Sequence, residues 1–77
     1  MIDVHIPKLG MSTVEVDVVR VLVKPGERVA ADDTVVEVAS EKTNYGIEAG
    51  VDGVVVEVLV AAGEEAKVGD VVVRIEP

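Results

Sequence analysis

The chain repeats itself. Sliding its second half back by 37 positions lays Val18-Val19-Arg20-Val21-Leu22-Val23-Lys24-Pro25-Gly26-Glu27 on Val55-Val56-Glu57-Val58-Leu59-Val60-Ala61-Ala62-Gly63-Glu64. It also lays Asp33-Thr34-Val35-Val36-Glu37-Val38 on Asp70-Val71-Val72-Val73-Arg74-Ile75. Roughly half of the positions from Val18 to Val38 match their partners, and the matches include Gly26, Glu27 and Asp33, which shared valine richness would not produce. Two copies are too few for a solenoid, so the economical fold is a two-fold related pair of sheets packed face to face. In that arrangement the chain ends emerge at one end and the central crossover protrudes at the other.

Each copy reads as strand. Val supplies 21 of the 77 residues, with one Tyr and no Phe or Trp. β-Branched side chains pack well on pleated sheets and lose rotamer freedom in helices, so an all-β fold follows. Ile2, Val4 and Ile6 alternate with polar residues up to Pro7, which cannot donate to a ladder. Residues 8–13 read as a loop. The alternation Val14/Val16/Val18 then slips phase and continues as Val19/Val21/Val23, which predicts a bulge, or a strand that bends between sheets, near Val18. A hairpin is expected with strands at 34–39 and 44–49. Val54, Val56, Val58 and Val60 form the longest alternating run, with Glu57 facing outward. Lys24-Pro25-Gly26-Glu27 and Lys67-Val68-Gly69-Asp70 are turns, and Gly26, Gly53, Gly63 and Gly69 read as turn positions with unusual dihedrals. No window of ten residues carries a helical period.

Composition excludes several functions. Seventy-seven residues make a single domain, 1–77, with a small core. The absence of cysteine removes disulfides and thiol catalysis. Charges interrupt every valine run, so no membrane-spanning stretch of 18 apolar residues exists. The first residues lack the basic and long apolar segments of a secretory signal, and the expected location is the cytoplasm, or the mitochondrial matrix in a eukaryote. A net charge of -8 without a basic cluster argues against nucleic acid and anionic lipid as partners. His5, the one histidine, has no neighbouring ligands to make a metal site and no triad to serve, and the acidic pairs Asp32-Asp33 and Glu64-Glu65 lack the spacing of a calcium loop. Neither a catalytic group nor a metal site is expected.

What remains is the hairpin tip. The apolar run from Val35 to Ala39 breaks at Ser40-Glu41-Lys42-Thr43 and resumes at Asn44, placing Lys42 at the junction of the two repeats. The other three lysines, Lys8, Lys24 and Lys67, fall in lateral loops. A group joined to Lys42 would stand clear of the domain and could visit several partners, as a carrier must.

The segments Ile6-Pro7-Lys8-Leu9-Gly10-Met11, Val23-Lys24-Pro25-Gly26-Glu27-Arg28-Val29, Val36-Glu37-Val38-Ala39-Ser40-Glu41-Lys42-Thr43, Asp52-Gly53-Val54-Val55 and Glu64-Glu65-Ala66-Lys67-Val68-Gly69-Asp70 resemble lipoyl domains of the dihydrolipoyl acyltransferase components of 2-oxo acid dehydrogenase complexes. The resemblance covers nearly the whole chain. It implies a barrel-sandwich hybrid, a flattened barrel of two four-stranded antiparallel sheets, with lipoic acid in amide linkage to Lys42. Glu41 and Thr43 become flanking recognition residues. The implied partners are the decarboxylating 2-oxo acid dehydrogenase component, the acyltransferase core, dihydrolipoyl dehydrogenase and the lipoate-attaching enzyme, with the isolated domain monomeric. Glu41 stands where the family usually has Asp, Ala39 and Ser40 where Glu and Thr are frequent, Val16 where Gly is common and Val21 where Trp is common. Biotinyl carriers resemble the same scaffold, but their lysine is typically flanked by methionines. An unmodified barrel-sandwich interaction or spacer module would have no need of a lysine at this tip.

Overall fold

The computed structural model describes residues 1–8, 15–41 and 43–77. Among these residues the regular elements are eight strands: β1 Ile2–His5, β2 Glu15–Val21, β3 Arg28–Val29, β4 Thr34–Ala39, β5 Asn44–Glu48, β6 Gly53–Val58, β7 Glu65–Lys67 and β8 Val71–Glu76. They form two four-stranded antiparallel sheets, ordered β1-β8-β6-β3 and β5-β4-β2-β7. Exchanging each strand of the first half with its counterpart in the second converts one order into the other, which is the two-fold relation the repeat predicts. The molecule measures 32 × 22 × 16 Å, so the barrel is flattened. Val35, Val36, Val38, Val72, Val73 and Ile75 fill its centre without measurable exposure.

The repeated non-valine residues explain how the halves interlock. Gly26 and Gly63 take φ of 93° and 91°, a region that side chains disfavour. Each aims its N–H at the other half: Gly26 N donates to the Val55 carbonyl (2.7 Å) and Gly63 N to that of Val18 (2.8 Å). Val55 N and Val18 N return bonds to the Glu27 and Glu64 carbonyls, both at 2.8 Å. The same glutamates accept from Lys24 N and Ala61 N through Oε1 (3.3 and 2.6 Å). Asp33 and Asp70 brace the next turn, each carboxylate accepting at 2.9 Å, from Ala30 N and Lys67 N respectively.

Three features differ from the sequence expectations. First, the chain crosses between sheets through β3 and β7, which the valine alternation did not show as strands, because two or three residues carry no readable period. Second, the register slips between Val18 and Arg20, as expected, but also between Val55 and Glu57, at the equivalent place in the second copy. The Val54/Val56/Val58 run therefore does not line the core as one face: Val55 is the buried residue, 1% exposed, while Val56 is 40% exposed and Val58 half-buried. Third, Gly53 has no positive φ. A Cβ there would lie 2.3 Å from the Glu76 carbonyl oxygen, so Gly53 answers a close approach of two strands and not a turn.

Candidate functional site

Strand β4 lies between β5 and β2 in its sheet and buries Val35, Val36 and Val38, which fixes the hairpin stem against the core. The β4–β5 ladder ends at the pair Ala39↔Asn44, leaving residues 40–43 to reverse the chain. Ser40 N donates to the Thr43 carbonyl at 2.8 Å and closes that reversal. The Ser40 hydroxyl joins it, donating to the same carbonyl (3.1 Å) and accepting from Thr43 N (3.4 Å). Glu41 and Thr43 are exposed, and the Thr43 hydroxyl donates to the Asn44 carbonyl at 3.4 Å. Lys42 lies outside the described residues; its two neighbours in sequence stand on the solvent side of the closed reversal.

A groove of about 360 Å³ runs beside this tip, bordered by Glu15, Asp17, Glu41 and Glu65 with Ala39 and Ser40. Glu15 and Glu65 also border a second groove of about 430 Å³ that reaches Lys67 and Asp70. Asp70 immediately precedes β8, so β8 begins on the side of the tip. It ends on the opposite side, where Ile75 pairs with Ile2. The N- and C-terminal residues thus sit together at the end remote from Ser40 and Thr43.

Among the described residues no cluster of three or more His, Asp or Glu could hold a metal ion, and no polar or charged residue is buried. His5 is occupied structurally, its Nδ1 lying 2.9 Å from the Gly69 carbonyl. Of the residues singled out from the sequence, the structure brings Glu41 and Thr43 to one exposed tip. The sequence marked Ser40 only as the first residue of the polar break, and the bonding of its hydroxyl was not read there, although a serine opening a polar four-residue reversal is a known signal of side-chain to backbone bonding.

The biotin/lipoyl family model, described as "Biotin-requiring enzyme", matches residues 2–75. The chain is 36% identical over 74 residues to the dihydrolipoyllysine-residue acetyltransferase component of the pyruvate dehydrogenase complex of Staphylococcus aureus, covering 96% of this chain and 17% of that protein. The corresponding protein of Staphylococcus epidermidis gives the same identity and coverage. The chain therefore spans 17% of the length of these relatives. The solution structure of the lipoyl domain of the 2-oxoglutarate dehydrogenase complex from Azotobacter vinelandii superposes with a TM-score of 0.78 at 26% identity, covering 100% of this chain and 98% of that one.

Proposed function

Because this chain belongs to the biotin/lipoyl family, we propose that it is a lipoyl carrier domain with Lys42 as the residue that bears lipoic acid. The observation that carries this reading is the closed β4–β5 reversal: one exposed connection between the two repeats, with Glu41 and Thr43 on either side of the lysine. An amide-linked arm needs an accessible attachment point and a stem that does not move with it. The buried β4 valines and the Ser40–Thr43 bonds supply the stem. Lys42 would hold lipoic acid through an amide at its Nζ, and the group would supply acyl-carrying and dithiol–disulfide chemistry there.

The domain itself is non-catalytic in this reading. Its residues present and identify the attachment point: Glu41, with the groove carboxylates beside it, offers negative charge to a partner surface, and Thr43 shapes the exit from the tip. The partners are those of a 2-oxo acid dehydrogenase complex: the decarboxylating dehydrogenase, the acyltransferase core, dihydrolipoyl dehydrogenase and the enzyme that attaches lipoate. Linkage to such an assembly would raise the arm's local concentration to the order of millimolar for a short flexible linker. The test is the intact mass of the domain after coexpression with a lipoate ligase. A lipoyl increment on the wild type that disappears in Lys42→Arg is expected; no increment, or one that survives the substitution, refutes the assignment.

A further inference from the structure

We propose that Ser40 is the positioning residue of the modification tip, its hydroxyl holding the β4–β5 connection in the shape that the lipoate-attaching enzyme reads. The inference rests on the carrier function proposed above and deepens it. Past the pair Ala39↔Asn44 the sheet no longer organises the chain, and the exposed Glu41 and Thr43 gain little from packing. Order at the tip must then come from local hydrogen bonds. The Ser40 hydroxyl engages both backbone polar groups of Thr43, as donor to the carbonyl at 3.1 Å and as acceptor from the N–H at 3.4 Å. A hydroxyl can serve both directions at once, and no apolar side chain can replace it.

Ser40 is also well placed to be rigid. It follows Ala39 on a strand whose Val38 is fully buried, it is itself half-buried, and its own N–H is committed to Thr43. The side chain therefore transmits the position of the core to the residues flanking Lys42. Removing the hydroxyl leaves the Thr43 N–H to water and the Thr43 carbonyl with the Ser40 N–H alone, and lowers the fraction of domains whose tip has the competent shape. An enzyme that binds only that shape sees its apparent affinity fall by the same fraction, while turnover of the bound complex is unchanged. With about one net hydrogen bond at stake, the fall should be about fivefold to tenfold.

The experiment measures initial rates of lipoylation of the 77-residue domain by a lipoate ligase with lipoate and ATP, varying the domain concentration. The bond formed is an amide between the lipoate carboxyl and Lys42 Nζ, with ATP leaving as AMP and pyrophosphate. Ser40→Ala should raise KM about fivefold to tenfold with kcat preserved. Ser40→Thr, which keeps the hydroxyl, should restore the wild-type KM. Amide exchange should accelerate at Thr43 in Ser40→Ala and stay unchanged at Val36, which separates the tip from the fold. An unchanged KM in Ser40→Ala, a loss carried by kcat alone, or a Ser40→Thr domain as poor as Ser40→Ala overturns the role of Ser40. A wild-type domain that takes up no lipoyl group instead overturns the carrier reading beneath it.

Discussion

Gly53→Ala is the sharpest test of how the two halves fit. The glycine opens β6 opposite Val29 of β3, and its neighbour Val54 pairs with Glu76 of β8. An added methyl would sit 2.3 Å from the Glu76 oxygen, 2.8 Å from Ile75 Cγ2 and 2.9 Å from the Glu76 carbonyl carbon. The oxygen would have to retreat by roughly 0.7 Å to reach even 3.0 Å, a separation that real Cβ contacts hardly ever undercut. Two of the three atoms are backbone, in a strand held by β1 on one side and β6 on the other, so relief requires a shift of the ladder. Overpacking costs 1–3 kcal/mol in most cores, and an obstacle made of paired backbone belongs at the top of that range, about 3 kcal/mol. For a domain of this size that corresponds to a fall in Tm of about 12–24 °C. Thermal and urea melts followed by circular dichroism would measure it, with two glycines as comparators. Gly63→Ala meets no atom within 4 Å but must hold φ near 91°, for about 1–2 kcal/mol. Gly46→Ala meets only the Thr34 side chain, at 3.1 Å for Cγ2, which can turn aside for less than about 1 kcal/mol. A loss at Gly53 smaller than that at Gly63 would refute the close-approach argument.

Two further predictions probe the second bulge and the surface. Val55→Ala should cost about 2 kcal/mol in urea unfolding, against less than about 0.5 kcal/mol for Val56→Ala, since one is buried and the other 40% exposed; a larger cost at Val56 than at Val55 would place the strand in the unbulged phase. Arg20 pairs with Glu37 through its Nε at 2.6 Å, and the equivalent positions of the second half carry the same pair reversed, Glu57 with Arg74 at 3.1 Å. Arg20→Glu and Glu37→Arg should each cost up to about 1 kcal/mol, the double exchange should recover all but about 0.5 kcal/mol, and the coupling should shrink in about 0.5 M salt.

Much of this architecture was legible because the repeat constrains topology before any strand is assigned. The hairpin, the bulge at Val18 and the all-β class followed from alternation and its one phase slip. The second bulge was equally present in the sequence: Val55-Val56-Glu57 aligns with Val18-Val19-Arg20. It was hidden because Val54, Val56 and Val58 alternate cleanly without it, and in a run where nearly every residue is valine the pattern cannot distinguish one face from the other. The short β3 and β7 were illegible for want of length, and the role of Gly53 because a close approach depends on a strand more than twenty residues away, β8. At the tip, the lysine could be singled out by its place between the copies, whereas the bracing by Ser40 depends on the geometry of the reversal.

The two-fold relation also bears on why a duplicated scaffold closes this reversal at one end. Ala39, the last residue of β4, corresponds to Glu76, the last of β8; β5, which β4 enters through the tip, corresponds to β1. The counterpart of the 40–43 connection is therefore the gap between β8 and β1, which no peptide bridges within this chain. The fold offers two equivalent ends, and covalent connectivity makes a closed reversal at only one of them. Any chain joined to residue 1 or 77 would leave from the other end, beside Ile2 and Ile75, roughly the length of β8 away, about 17–20 Å at strand rise. A group on the tip and a linker at the termini would then not compete for the same space, and the body of the barrel would act as a rigid spacer between them. The asymmetry that the carrier reading requires thus comes from where the backbone is joined, while the symmetric core and its interlocked turns supply the stiffness.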